Sequence, residues 1–557
     1  MYKQDLIKCN IDMMFMREML IAPESLTPQS GYLEHARQRI KLPIAFALGA
    51  ILGLCTPGFD QDYLAWVGLA PLLVLIRGCR SSMQAAWTGL VFGMGYYAIA
   101  LSFFNGLIPL GWLKIPDILG YQLVFVSWLI ECLHYSLLFA LFAVMVHLVP
   151  ARPGFLAHFR RPFYPYLLVV PILWVAINWI LAPSPLFMGI PLCQLAYSQS
   201  RNLPLIQLAS IGGAAAVDFV LILVNCVVAN LFMEFTKLVK RLGQRTDQLN
   251  TKIGATFDLT ACMLLLTLIT SWGQYRIAHI TEAVRPEKAL KVSPQCPPVP
   301  VAIVQGNVSI EEERYKTISQ QEYMQRYSEL TSNLGASLIV LPEGVVTVDQ
   351  IGGLENRLKE IETKEKKEII YGAVVPNQEG YINAAKLLTP NNLKGTIYGK
   401  QKLIPFGESI PINLIYQKIP EELREKIPAT KERFLEAPEA KLLTSGFGKV
   451  GVTISNEIVY PKLVASEVRK GASLLVCLAN LGWFHNSSLG KQFLACATLR
   501  AVENKRFLVL STSTGTSSVI DPVGMVVSRS YAHKRGILLD TVQFIYTKTP
   551  YNRMHWL

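Results

Sequence analysis

Three polar residues stand directly after apolar runs that we interpret as buried strands in the second half of the sequence. Glu343 follows SLIVLP, Lys400 lies in IYGKQKLIPFGE, and Ser455 ends VGVTIS. An α/β sheet presents its functional groups at such strand ends. Taken singly, each of these residues is more simply an ordinary loop residue. As a set, a carboxylate, an amine and a hydroxyl that could act as a nucleophile predict a catalytic site.

The elements that would hold these residues alternate between short β-branched runs and longer polar stretches. Strand-like runs include VAIVQGN at 301–307, ASLIVLPEG at 336–344 and EIIYGAVV at 368–375, and a helix-like stretch occupies 311–333. This alternation favours an α/β sheet covered by helices. The pattern continues to about residue 528, and roughly 250 residues are enough for one large core.

The first half of the chain is apolar in long uninterrupted runs. Of the 557 residues, 51% are hydrophobic, and nearly all the long uncharged runs fall before residue 275. About 20 residues of helix cross the ~30 Å hydrocarbon core of a bilayer. We therefore predict a polytopic α-helical membrane domain with about seven spans, near 43–58, 63–79, 86–109, 121–149, 165–182, 205–232 and 257–273. The first two runs are short and could be partly re-entrant.

The positive charges indicate an orientation for these spans. With the N-terminus in the cytoplasm, sixteen Lys and Arg residues of the tail and loops lie inside, and Lys114 and Arg201 lie outside. Because cytoplasmic loops carry the excess of Lys and Arg, we predict a cytoplasmic N-terminus. Seven crossings then place the second half in the periplasm, beside a bacterial inner membrane. The net charge of +13 follows from this topology and from attraction to the membrane surface, and no motif indicates nucleic-acid binding.

The chain divides into five predicted segments. They are a cytoplasmic tail (1–42), a transmembrane domain (43–275), a linker (276–300), an α/β domain (301–540) and a C-terminal tail (541–557). The ten cysteines have no paired spacing typical of a disulfide framework or a metal site. We predict neither a metal nor a cofactor.

Several longer patterns together resemble the apolipoprotein N-acyltransferases, which are bacterial membrane proteins with a nitrilase-like domain on the outer side of the inner membrane. The patterns are VQGN at 304–307, LPEG at 341–344, Y-x-K-x-x-L-x-P-F-G-E from Tyr398 to Glu408, E-I-x-x-P from Glu457 to Pro461, and the pair Trp483–Phe484. The similarity covers nearly the whole chain, and the pattern around Lys400 is specific. The resemblance implies that residues 301–540 form a nitrilase-like αββα sandwich.

Nitrilase-like domains carry a Glu, Lys, Cys triad, and the motifs put these roles on Glu343, Lys400 and Ser455. The resemblance implies that the nucleophile takes an acyl chain from a phospholipid as an acyl-enzyme. It then passes the chain to the α-amino group of the diacylglyceryl-cysteine at the N-terminus of an apolipoprotein. Glu343 would serve as general base and then acid, and Lys400 would stabilise the oxyanion together with a backbone N–H near residue 456.

Other motif positions imply supporting residues and partners. Glu408 resembles the family's second carboxylate, which would orient Lys400 or shuttle a proton. Trp483 matches a position near the site and would pack on substrate or on a mobile lid. Asn456 and Glu457, which follow the nucleophile, complete the set. The expected partners are a phospholipid acyl donor and a diacylglyceryl apolipoprotein acceptor, and we expect a membrane-embedded monomer.

The sequence departs from the family pattern in three places. Ser455 occupies the position of the nucleophilic cysteine, and a serine hydroxyl is a far weaker acid than a thiol, whose pKa is about 8.5. Asn456 stands where the family usually has an aromatic residue, and NLG at 480–482 replaces N-D-A. The chain stops at TPYNRMHWL, whereas the family usually has a further membrane span after Y-x-R. The catalytic domain would then be tethered only at its N-terminal side.

Ser455 leaves several interpretations open. It could be a slower serine nucleophile, an engineered Cys→Ser change, or a feature of a natural homologue that binds lipid or lipoprotein without turnover. A membrane-tethered amidohydrolase would also share Glu343 and Lys400. The seven predicted spans argue against an amidohydrolase, because a soluble small substrate needs no membrane-embedded half.

Overall fold

The computed structural model divides the chain into two compact units. One unit comprises residues up to 102, 127–181 and 218–265, and the other comprises 103–126, 182–217 and 266 onward. The residues that the structure describes are 30–111, 116–149, 164–180, 193–242, 252–285, 297–315, 317–347, 353–390, 392–405, 407–409, 434–437 and 439–554.

The first half of the described chain is helical. Its α-helices are α1 (Ser30–Gly53), α2 (Ala70–Arg77), α3 (Ser82–Ala100), α4 (Asp117–Leu148), α5 (Tyr164–Ile180), α6 (Leu195–Ser198), α7 (Leu203–Ile206), α8 (Ala209–Leu242) and α9 (Lys252–Ala283). Every run predicted to span the membrane contains helix. Helix α9 extends to Ala283. Residues 276–283, which were predicted as the first part of the linker, therefore belong to this helix.

Two of the described helices are long and apolar enough to cross a bilayer. They cover Asp117–Leu148 and Ala209–Thr236, and shorter apolar helical segments cover Ile40–Gly53 and Tyr166–Asn178. Helix α2 has eight residues and rises only about 12 Å, so the run predicted at 63–79 does not form one long helix. The number of spans and their orientation stay predictions.

The described residues of the second half form two six-stranded sheets. Their strands are β1 (Val299–Gln305), β2 (Leu338–Val340), β3 (Glu368–Asn377), β4 (Gly380–Thr389), β5 (Asn392–Gly399), β6 (Leu443–Ser445), β7 (Gly448–Ile454), β8 (Leu474–Ala479), β9 (Leu508–Thr512), β10 (Ser518–Ile520), β11 (Val526–Arg529) and β12 (Gly536–Val542). The strand orders are β12-β1-β2-β3-β4-β5 and β11-β10-β9-β8-β7-β6. The prediction of an α/β domain is confirmed, with β1 beginning two residues before the predicted boundary.

Apolar side chains from both sheets meet in one core. Val301 and Ile303 of β1, Val452 of β7 and Val476 of β8 belong to the same buried cluster. The helices of this half are α10 (Ile310–Arg314), α11 (Gln320–Thr331), α12 (Leu354–Glu365), α13 (Pro461–Lys470), α14 (Leu489–Asn504) and α15 (Pro550–Arg553). Val304 faces the opposite way from Ile303 and packs in a second cluster with residues of α11 and α12, as strand alternation requires.

The strands that precede Glu343 and Ser455 each run parallel to at least one neighbour, whereas β5, which precedes Lys400, pairs antiparallel with β4. Strand β2 pairs in parallel with β1 and β3, and β8 pairs in parallel with β7 and β9. Parallel strands bring their carboxyl ends to the same edge of a sheet, where such folds bind ligands. Glu343 and Ser455 therefore each follow a strand at the edge where a site is expected.

Candidate active site

Glu343 lies just beyond the end of β2, in a turn that depends on two glycines. Gly344 has a φ of +69°, which glycine adopts without steric cost. Gly372 in β3 allows a close approach, since a Cβ added there would lie 2.5 Å from Gly344 N and 2.6 Å from Glu343 Cα. The Gly372 N–H also donates to the carbonyl of Pro342 at 3.0 Å. Together these contacts fix the backbone that carries Glu343.

Lys400 directly follows β5 and points into the protein. Tyr398, two residues earlier, belongs to the core between the sheets, and alternation puts Lys400 on the same side. Its side chain is fully buried, with Nζ 2.9 Å from Glu408 Oε1 and 3.6 Å from Glu343 Oε1. A buried ammonium is stable only when it is paired, and these two carboxylates provide the pairing.

Asn383 on β4 connects the two carboxylates. Its Nδ2 donates to Glu343 Oε1 at 2.8 Å and to Glu408 Oε1 at 2.9 Å. Its carbonyl accepts the Lys400 backbone N–H at 2.8 Å, and Glu408 Oε2 accepts the Ile404 N–H at 2.9 Å. The four polar groups form one hydrogen-bonded network, so the position of each depends on the others.

Two pKa values in this network are shifted upward, one by burial and the other by neighbouring charges. Burial raises the pKa of Glu343 above its ordinary value, and the charge of Lys400 only partly opposes this. Burial would lower the pKa of Lys400, but the carboxylates of Glu408 and Glu343 outweigh it and raise that pKa. Glu343 is therefore a better proton acceptor than an ordinary glutamate, while Lys400 stays positively charged beside it.

Ser455 begins a sharp turn at the end of β7. It has a φ of +53°, a conformation that is costly for residues with a side chain and is typical of functional turns. A 3₁₀ turn covers Ser455–Val459. Strand pairing sets Ile454 opposite Leu478, so Ser455 lies beside Ala479, the last residue of β8. The neighbour of Ala479, Asn480, donates its backbone N–H to Glu343 Oε2 at 2.8 Å.

Glu457 ties the turn of Ser455 to the loop of Lys400. Its Oε1 accepts the Gln401 N–H at 2.6 Å, and its Oε2 accepts the Ile454 N–H and the Tyr398 hydroxyl, both at 2.8 Å. Its side chain is completely enclosed. Burial raises the pKa of Glu457 to about 7. This carboxylate thus holds together two segments that come from different sheets.

The two remaining predicted residues lie close to these segments in the chain. Asn456 is buried inside the turn that begins at Ser455. Trp483 is half-buried in a short 3₁₀ turn, Gly482–Phe484, a few residues after Asn480. In the described part of the chain, no group of three or more His, Cys, Asp and Glu residues is placed to hold a metal ion.

Two asparagines belong to the network but were not predicted. Asn480 binds Glu343 through its backbone, and its Oδ1 accepts the Ser513 hydroxyl at 2.6 Å and the Gly482 N–H at 3.1 Å. Asn383 shares its strand face with the core residues Ala385 and Leu387. A polar residue in an inward-facing position of a strand was the available signal for Asn383, and the first residue of NLG was the signal for Asn480.

Both halves of the chain match known protein families. The model of the apolipoprotein N-acyltransferase N-terminal domain matches residues 48–227, and the carbon-nitrogen hydrolase model matches residues 300–549. Among solved structures, an amidase from Nesterenkonia sp. aligns with a TM-score of 0.35 and 17% identity, over 44% of this chain and 91% of the amidase.

Similar proteins align with this chain over nearly its full length. An apolipoprotein N-acyltransferase of Geobacter metallireducens is 27% identical over 526 residues, covering 92% of this chain and 91% of that protein. One of Azotobacter vinelandii is 28% identical over 536 residues, covering 92% and 90%. The matches in both halves and across the whole length identify the chain as a member of the apolipoprotein N-acyltransferase family.

Proposed function

We propose that this chain moves an acyl chain from a phospholipid to the α-amino group of the N-terminal diacylglyceryl-cysteine of apolipoproteins. The observation that carries the proposal is the buried contact of Lys400 with Glu343 at 3.6 Å. Glu343 also accepts from Asn480, which follows β8, the strand paired with the strand before Ser455. Family membership supports the same reaction. The protein would act as a monomer in the bacterial inner membrane, with its α/β domain in the periplasm.

In the first step, Ser455 forms an ester with the acyl chain. Glu343 takes the proton of the Ser455 hydroxyl while Oγ attacks the carbonyl carbon of the phospholipid ester. The negative charge that develops on the carbonyl oxygen is stabilised by Lys400 and by a backbone N–H near residue 456. The carbon–oxygen bond to glycerol then breaks, and Glu343 returns the proton to the departing lysophospholipid.

In the second step, the acceptor amine removes the acyl chain. The uncharged α-amino group attacks the ester carbonyl, and Glu343 accepts a proton from the nitrogen. The bond to Ser455 Oγ breaks, the proton passes to Oγ, and an amide is formed. Asn383 helps to hold Glu343 in place by donating to it and to Glu408, and Glu408 holds Lys400 by accepting from its ammonium.

Serine makes the first step difficult. A serine hydroxyl must lose its proton as it attacks, whereas a thiol with a pKa of about 8.5 is more easily deprotonated. The raised pKa of Glu343 helps the transfer but leaves the carboxylate a weaker base than serine chemistry normally uses. We therefore propose a slow first step for this chain and a faster one for a Ser455→Cys variant.

The proposal is tested by intact-mass measurement of the purified full chain after incubation with phospholipid. This chain, Ser455→Cys and Ser455→Ala are compared, and lysophospholipid release is measured in parallel. An acyl mass on this chain, absent from Ser455→Ala, identifies Ser455 as a working nucleophile. An acyl mass only on Ser455→Cys identifies a site of the acyltransferase type that serine disables.

Two further measurements separate the alternatives. If neither this chain nor Ser455→Cys gains an acyl mass, the proposed mechanism is wrong. Ammonia release from a soluble amide, without lysophospholipid, would indicate an amidohydrolase instead. Cys477 near the site is fully buried and burial raises its pKa to about 12, so alkylation that appears only in Ser455→Cys would report the new thiol at 455.

A further inference from the structure

The loop between β8 and α14, residues 480–488, contains a residue in an unfavourable backbone conformation. His485 has φ +43° and ψ −141°, a region that favours glycine over residues with a side chain. Asn480, whose N–H binds Glu343, and Trp483 lie in the same loop. A conformation of this kind persists only where surrounding contacts hold it, so the contacts of His485 are informative.

Both ring nitrogens of His485 have a partner, and the partners come from distant parts of the chain. Nδ1 lies 2.5 Å from the carbonyl oxygen of Gly106, and Nε2 lies 2.6 Å from Glu311 Oε1 on α10. The carbonyl can only accept a hydrogen bond. The imidazole ring therefore connects the 480–488 loop to two other segments.

The segment around Gly106 is packed tightly onto the same loop. A Cβ added at Gly106 would lie 2.1 Å from the carbonyl oxygen of Phe484, so only glycine fits there. The rings of Phe103 and Phe484 meet edge to face with centroids 5.5 Å apart. Residues 103–107 thus lie against the residue that directly follows Trp483.

We propose that His485 is a positioning residue for the acyl transfer. Hydrogen bonds of its two ring nitrogens connect residues 103–107 and helix α10 to the 480–488 loop. These two hydrogen bonds hold Asn480 and Trp483 in their places. Asn480 acts in turn on Glu343 through its backbone N–H. The proposal rests on the proposed function, because positioning is meaningful only for a reaction at Glu343 and Ser455.

The two hydrogen bonds of His485 form together only when the imidazole ring is charged. Nδ1 donates to a carbonyl and Nε2 donates to a carboxylate, so both nitrogens must carry a proton. Glu311 is the charged group that contacts His485 among the described residues. Residues 103–107 supply only a neutral carbonyl, and no other residue of 480–488 has a charged side chain.

The hydrogen bonds of His485 to Gly106 and Glu311 should depend on pH. Burial would lower the pKa of His485, but the Gly106 carbonyl and Glu311 outweigh it and raise that pKa. The bonds are complete while the ring is protonated, and one is lost as the pH rises through this raised pKa. The reaction should therefore slow on the alkaline side as His485 loses its proton.

The test uses two variants of the full chain with different effects. His485→Gly suits the backbone conformation but removes both hydrogen bonds, whereas Glu311→Gln removes only the charge. Hydrogen–deuterium exchange of peptides covering 100–111 and 480–488 should be faster in His485→Gly. The kcat/KM for acyl transfer should fall about 10- to 100-fold, as expected for a displaced site. In Glu311→Gln, the alkaline loss of activity should begin at a lower pH.

Matched controls distinguish positioning from general loosening. Glu329→Gln removes an exposed partner of Arg535 and should change neither measurement. Glu311→Gln should have no further effect in the His485→Gly background. Gly106→Ala should reproduce the loss, while Gly120→Ala, with ordinary contacts beyond 3.4 Å, should not.

Two results would overturn the proposal. One is unchanged exchange of both peptides in His485→Gly, and the other is faster exchange with unchanged kcat/KM and pH profile. Rates are measured in this chain or, where it does not acylate, in the common background Ser455→Cys. If neither form transfers acyl chains, the proposed function fails and the positioning role fails with it. The exchange data still report whether His485 connects residues 103–107 to the 480–488 loop.

Discussion

The carboxylate of Glu457 accepts the backbone N–H of Gln401 at 2.6 Å. Gln401 follows the lysine at the end of β5, while Glu457 belongs to the turn of the nucleophile position after β7, in the other sheet. The same carboxylate also accepts the Ile454 N–H just before Ser455. One buried side chain therefore connects the turn of Ser455 to the loop of Lys400.

Glu457→Gln should disturb the site more than it disturbs the fold. One carboxylate oxygen becomes an NH₂ group, which would face backbone N–H donors and cannot accept from them. We expect a loss of about 100-fold in the acylation rate, as for a shift of the reacting groups by about 1 Å, and destabilisation of about 1–3 kcal/mol. Rates from intact-mass time courses and thermal unfolding midpoints measure the two effects. A rate loss below threefold would contradict the assigned role.

The stability that Glu457 contributes should depend on pH. Burial raises its pKa from 4.5 to about 7, so the folded chain binds this proton more tightly than the unfolded chain does. Its contribution is complete below 4.5 and is lost as the pH rises through about 7. The difference in unfolding midpoint between this chain and Glu457→Gln should shrink from pH 4.5 to 7. A difference that grows over this range would show that the pKa is lowered instead.

Part of this arrangement was predictable from local sequence. Glu343, Lys400 and Ser455 each follow a short apolar run, and a strand end is a local feature. The contact of Glu457 with Gln401 was not predictable in this way, because it joins residues of two sheets and depends on how the sheets pack. Asn383 was missed although its inward position in β4 was visible, since the two carboxylates that require it are distant in sequence.

The helix boundaries illustrate the same limit. Apolar runs located the helices of the first half, but α9 continues to Ala283 and α2 has only eight residues. Hydrophobicity reports which residues leave water, whereas helix length also depends on capping and on tertiary packing. Element existence was therefore easier to predict than element boundaries.

Gly372→Ala should displace Glu343 without touching any polar group. The added methyl would lie 2.5 Å from Pro342 O and 2.6 Å from Glu343 Cα, and the backbone there cannot yield easily. We expect a rate loss of about 10- to 100-fold and destabilisation of about 1–3 kcal/mol from overpacking. Gly536→Ala is the matched control, because no atom lies within 4 Å of its added Cβ. Equal effects of the two changes would exclude a special role for Gly372.

Glu503→Gln should destabilise the protein, although Glu503 is not one of the candidate catalytic residues. Glu503 and Arg500 on α14 are both fully buried, and Glu503 Oε1 accepts from Arg500 at 2.8 Å and from the Ala214 N–H at 2.9 Å. Ala214 resumes helix α8 after Gly213, whose φ of +67° interrupts it. The carboxylate therefore pairs a buried cation and also caps the resumed helix.

Removing that charge leaves Arg500 buried without a counter-ion, which typically costs about 3–5 kcal/mol. The amide oxygen of the substituted side chain could still accept from Ala214, so the loss would come mainly from the unpaired charge. Glu360→Gln is the control, since Glu360 and its partner Arg357 are mostly exposed and such pairs contribute about 0–1 kcal/mol. Thermal unfolding in detergent should show a much lower midpoint for Glu503→Gln. Similar midpoints for both variants would mean that the buried pair adds no more to stability than a surface pair, because Arg500 then tolerates the loss of its partner.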